Sequence, residues 1–179
     1  MFNEEKLMGS IIQFISNISD ALINFASGMP HWLGAILLSM VPITELRATI
    51  PVAISMWEMH PVWAFVFAVI GNMIPVPFII LFIRPIFAWM KKFKIFRKLV
   101  VKLEERGASK ISTVEKYKFW GLFIFVAIPA PGTGAWTGSL IAGLMNMRLK
   151  DAIPSILLGV VTAAIIVTLV TTGAINIFS

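Results

Sequence analysis

The chain has no cysteine, one tyrosine, two histidines and nine acidic residues among 179, and only 13% of its residues are charged. Without cysteine there is no disulfide framework and no thiolate metal site. Nor is there a metal-ligand spacing, nucleophile elbow, P-loop or dinucleotide fingerprint, so neither an enzyme, a cofactor nor a metal is expected. The scarcity of charge excludes a water-soluble surface, since soluble domains carry about 25% charged residues. In its place stand 58% hydrophobic residues and a mean hydropathy of +0.89. Disorder and nucleic-acid binding are incompatible with that composition.

Four stretches lack Asp, Glu, Lys and Arg altogether: 21–44, 59–83, 119–147 and 152–179. A helix crosses a bilayer with about 20 mostly apolar residues, so an all-α, multi-pass integral membrane protein is expected. The cations concentrate in one place. Residues 91–118 hold ten Lys and Arg against three Glu, and basic loops stay cytoplasmic. That places 91–118 on the inner side of the cell membrane. Phe93, Phe96, Val100 and Leu103 recur there at helical spacing, predicting an amphipathic helix on the anionic leaflet. At the N-terminus no cleavable signal is expected. Ile11, Ile15, Ile18, Leu22 and Phe25 share a helical face opposite Gln13, Asn17, Asp20 and Asn24. A peripheral amphipathic helix is the reading, with a true span the alternative. Trp57, Trp63, Trp89 and Trp120 fall near predicted ends, as belt residues do.

Proline and glycine interrupt two apolar segments in their middles. The first contains Pro42 and Pro51; the second contains Pro129, Pro131, Gly132, Gly134 and Gly138. Proline removes a donor and opposes the preceding helix. Backbone freed this way survives at membrane depth only inside protein or beside a wet cavity. Both segments therefore read as re-entrant hairpins. An offset of 87 matches Val41-Pro42 with Ile128-Pro129, and one residue further in register Gly71 falls opposite Gly159. The expected organisation is an amphipathic N-terminal helix (1–30), a first repeat (31–90: hairpin 33–57, transmembrane helix 61–89), the basic cytoplasmic linker helix (91–118) and a second repeat (119–179: hairpin 119–146, transmembrane helix 152–178). Each unit crosses once, so the two repeats are inverted, the pattern of a secondary transporter with a site near the midplane.

Glu45 and Arg47 interrupt apolar sequence at the first hairpin tip, where ionisable residues mark function by default. Glu45 suits a proton carrier and Arg47 an oxyanion ligand; a structural ion pair pinning the hairpin is the alternative. In the second break Gly132, Thr133, Gly134, Trp136 and Thr137 open a half-helix whose N–H groups attract anions. The Gly134, Gly138, Ala142 ladder equally suits tight helix packing. Asn72, before Pro75 and Pro77, lines a cavity or satisfies freed backbone. Arg84 snorkels or pairs near the inner interface.

Pro42-Ile43-Thr44-Glu45-Leu46-Arg47 with Ile50-Pro51, Gly71-Asn72 with Pro75-Val76-Pro77 and Arg84-Pro85, and Val126-Ala127-Ile128-Pro129 running into Pro131-Gly132-Thr133-Gly134-Ala135-Trp136-Thr137-Gly138 resemble the putative small multidrug export protein family, and more distantly the DedA/VTT membrane proteins. The resemblance spans roughly residues 35–175. Ala48 stands where the family pattern has Gly. The family implies drug efflux, and its DedA-type relatives imply lipid-phosphate translocation coupled to protons. The expected function is a proton-coupled secondary exporter of small amphipathic compounds or lipid-phosphate head groups, working as a homodimer in the lipid bilayer. Its class alternative is a non-transporting membrane subunit or scaffold.

Overall fold

The computed structural model describes residues 2–90, 92, 119–130 and 132–178. The basic linker helix expected at 91–118 lies outside the described residues, Lys92 excepted, as does Pro131. Among the described residues the structure is helical, with no strand. Its helices are α1 (Phe2–Ser27), α2 (His31–Met40), α3 (Glu45–Ser55), α4 (Pro61–Met73), α5 (Pro75–Met90), α6 (Phe119–Ala127), α7 (Ala135–Leu144) and α8 (Leu149–Phe178). Among the described residues two stretches are long and apolar enough to cross a membrane, Pro61–Trp89 and Leu149–Ile177. The first was expected as one helix but is interrupted at Ile74. Pro75 pushes the residue before it out of the helical region, and Pro75 and Pro77 cannot donate to the carbonyls of Gly71 and Met73. The last helix starts at Leu149, three residues before its expected start, and runs through Pro154.

The described chain divides into two compact units. The first comprises residues up to Gly71 together with 168–179, and the second residues 72–167. In the first, α3 folds back against α2, and α1 packs on α2. The core is Ala26, Ala35, Leu38, Ala53, Trp57 and Ala64, with Leu22, Ile23 and Phe67 against it. Small side chains at these positions let helix backbones approach closely, which is how helices associate in lipid. A methyl group on Gly34 would stand 2.8 Å from the Ala26 carbonyl oxygen. Trp57 is not the belt residue its position suggested. It is buried, donates from Nε1 to Ser27 Oγ at 2.9 Å and stacks on His31 with ring centroids 5.4 Å apart. Trp63, Trp89 and Trp120 are exposed, as belt residues are. α1 carries its apolar Ile11, Ile12, Phe14 and Ile15 on the surface.

In the second unit the most extensive packing joins α5 to α7, and α6 packs on α7. A methyl group on Gly143 would run into Ile83 Cγ2 of α5, and one on Gly138 would sit 2.5 Å from Val126 Cγ2 of α6. Residues 149–167 of α8 close on α6. Ser155 Oγ donates to the Phe119 carbonyl at 2.6 Å, and a methyl on Gly159 would lie 2.6 Å from Val126 Cβ and 3.0 Å from the Phe123 carbonyl oxygen. The first unit has the same feature: Gly71 of α4 is seated on the Ile36 carbonyl of α2. Ile36 and Phe123 stand at the same offset of 87 as the two Val/Ile–Pro pairs.

These contacts predict that Gly71→Ala and Gly159→Ala each destabilise the protein by about 1–3 kcal/mol, the usual cost of overpacking. Gly173→Ala, where no atom lies within 4 Å, should be neutral or stabilising because alanine is the better helix former. Thermal melts of the three variants in mild detergent measure the difference.

Candidate functional site

The first break is built around Leu38. A helix would satisfy its carbonyl with the N–H four residues on, but that residue is Pro42. The Thr44 hydroxyl donates to it instead at 2.5 Å, joined by the Val41 N–H at 3.3 Å. Thr44 is buried, and Glu45 follows with φ 43°, the left-handed region that a side chain of its size rarely adopts. Such a conformation costs on the order of 1–3 kcal/mol and persists where the surroundings over-determine it. Here the Glu45 N–H is tied to the Val41 carbonyl at 2.9 Å, the Thr49 hydroxyl donates to the Glu45 carbonyl at 2.6 Å, and the side chain is 7% exposed. The carboxylate sits in the first turn of α3, the end of a helix that favours negative charge. Arg47 lies in the same turn, partly buried, and the Glu45 carboxylate acts on it electrostatically. The two expected charged residues are thus one local group.

The second break spans 128–134. Thr133 Oγ1 lies 2.7 Å from the carbonyl oxygens of both Ile128 and Ala130 and 3.3 Å from the Ala130 N–H. Its hydroxyl is engaged in holding the break together. Gly132 and Gly134 have φ of 78° and 121°, values that explain why the string carries glycine at these two points. Gly134 caps α7 without a side-chain hydrogen bond, so the first turn is left to backbone N–H groups. Trp136, in that turn, lines an apolar groove of about 360 Å³ with Phe78, Phe82 and Ile86 of α5 and Leu140 of α7. Thr137 is partly buried beside it in sequence.

Asn72, in the last turn of α4, is completely buried, and neither end of its carboxamide has a hydrogen-bond partner among the described residues. Arg84 does something the sequence did not announce. It neither snorkels freely nor pairs with an acid among the described residues. Its Nε donates to the Gly143 carbonyl and its Nη2 to the Leu144 carbonyl, both at 2.7 Å. These are last-turn carbonyls of α7, so a cation caps the negative end of that helix. No cluster of three His, Cys, Asp or Glu side chains exists among the described residues.

Broken helices, small-residue seams and long apolar stretches of this kind define a helical membrane protein. The family described as "Putative small multi-drug export protein" matches residues 45–166, most of the chain, and the protein belongs to that family. No curated protein and no solved structure matches it. The matched span begins at Glu45 and takes in Arg47, Asn72, Arg84 and the whole second break.

The double grip of Arg84 on α7 predicts that Arg84→Met costs about 1.5–3 kcal/mol, the range for hydrogen bonds to charged groups. Arg84→Lys should recover part of that, because an ammonium restores the charge without the planar fork. Melting temperatures, with limited proteolysis near residue 144, report both effects.

Proposed function

We propose that the protein is a proton-coupled secondary exporter in the cell membrane, moving small amphipathic compounds or lipid-phosphate head groups. The observation that carries the reading is Glu45: a buried carboxylate, in a strained backbone conformation, at a break in apolar sequence. An acid held in this way is costly in lipid and suits a group that gains and loses a proton as part of its work. Arg47 beside it supplies a permanent charge for an anionic substrate group. Gly132, Gly134 and the first turn of α7 supply backbone donors, with Thr133 positioning them and Thr137 adding a hydroxyl. Trp136 and its groove suit the apolar part of an amphipathic substrate, and Asn72 contributes a polar group inside the membrane stretch.

The two hairpins, α2–α3 and α6–α7, are proposed to be re-entrant, and the two repeats, 31–90 and 119–179, to be inverted copies. The matched seating of Gly71 on Ile36 and of Gly159 on Phe123 supports a common ancestry for the two repeats. The basic segment 91–118 then lies in the cytoplasm, and a homodimer is the working assembly. A second reading has one observation in its favour. Glu45 and Arg47 interact electrostatically within one turn, as a purely structural ion pair in a non-transporting subunit would.

Reconstitution in liposomes separates the two. An exporter should move substrate, screened from lipophilic drugs and polyprenyl phosphates, in response to an imposed pH gradient. Glu45→Gln should abolish that response while leaving the melting temperature within a few degrees of wild type. A large loss of stability in Glu45→Gln, with gradient-driven transport intact in the variant, would establish the structural pair instead.

A further inference from the structure

Asn72 presents an unresolved chemical demand. Asn72 is 0% exposed, and both Oδ1 and Nδ2 are buried without a partner among the described residues. A carboxamide carries two donors and one acceptor oxygen with two lone pairs. Leaving them unpaired in an apolar interior costs about 1–3 kcal/mol by mutational measures, and each such group in a folded protein calls for a cause. Leucine would fill a similar volume at no such cost, so the residue's chemistry is used.

The surroundings narrow what answers the demand. Asn72 lies near the middle of the apolar stretch Pro61–Trp89, two residues before the interruption at Ile74. Pro75 and Pro77 withhold the N–H groups that the carbonyls of Gly71 and Met73 would otherwise accept from. The local inventory is therefore one open donor group and one open side-chain acceptor, beside carbonyls that lose their regular helical donors. A metal cation would leave Nδ2 facing a positive charge, and an anion would leave Oδ1 facing a negative one. A molecule that donates and accepts at once fits both ends, and water is the smallest that does.

We propose that Asn72 binds an internal water that hydrates the α4–α5 break. The water accepts from Nδ2 or donates to Oδ1, and a remaining hydrogen bond goes to a backbone carbonyl freed at the break. Such waters are a known means by which proline-broken membrane helices recover their lost backbone bonds. The consequence is a fixed polar point inside an otherwise apolar stretch. The site stands independently of the export reading, because its occupancy is measured without any transport.

The test is X-ray radiolytic footprinting of the purified full chain in nanodiscs, in which hydroxyl radicals form from water and mark the side chains next to it. Met73, adjacent in sequence and partly buried, is the reporter, and Met56 on the surface is the exposed reference. Met73 should be oxidised in the wild type, several-fold less in Asn72→Leu, and near the wild-type level in Asn72→Ser, which keeps a donor and an acceptor. Unlabelled Met73 in the wild type overturns the proposal without recourse to any variant. So does equal labelling in wild type and Asn72→Leu. A melting temperature that rises with NaCl but not with choline chloride, and loses that rise in Asn72→Leu, assigns the site to a cation and overturns the water.

Discussion

In an apolar medium a peptide N–H or C=O without a partner has no water to fall back on, and the structure is organised by that constraint. An uninterrupted helix meets it automatically. A chain with ten prolines and twelve glycines, several of them in the middle of its apolar stretches, does not. Each interruption has to be answered by a group brought from elsewhere. The Thr44 hydroxyl replaces the donor that Pro42 lacks, and Thr133 gathers the carbonyls around Pro129. Arg84 covers the end of α7. Asn72 stands beside the break that Pro75 and Pro77 create.

The same constraint explains the prominence of small residues at the helix seams. Lipid tails are as apolar as leucine, so helices in a membrane gain little from hiding hydrophobic surface and rely on close packing. Gly34, Gly71, Gly138, Gly143 and Gly159 lie where a methyl group would strike a neighbouring backbone or a branched side chain. The close packing also fixes the geometry of the breaks. A strained Glu45 is tolerable because Leu46, Thr49 and Ile50 around it are buried in close packing.

Charge is handled with comparable economy. Inside the described apolar segments the ionisable side chains are few, and each has a role legible from its surroundings. Glu45 acts electrostatically on Arg47 at the head of α3, and Arg84 meets a helix end. Arg148 and Asp151, exposed at the start of α8, pair with each other at 2.9 Å. That last pair contributes little, as exposed pairs do. The first two lie where charge is expensive, and this makes them informative about function.

The sequence by itself determined the class of the protein, the breaks at Pro42 and at 129–134, and the residues most worth testing. Apolar runs, mid-run prolines and isolated charges are local properties, and local chemistry converts them directly into helices, breaks and candidate sites. It also carried the family, on motifs that the matched span bears out. The interruption at Ile74 was equally local in origin: Pro75 disfavours the helical conformation before it, and Pro75 and Pro77 both withhold donors. What only the tertiary structure decided is which group answers which gap. Arg84 lies 59 residues from the carbonyl that its Nε bonds, and Trp57 lies 30 residues from the Ser27 hydroxyl that holds it inside the protein. No periodicity encodes such a pairing. It arises when helices pack closely enough for one chain segment to supply the donor that another has lost.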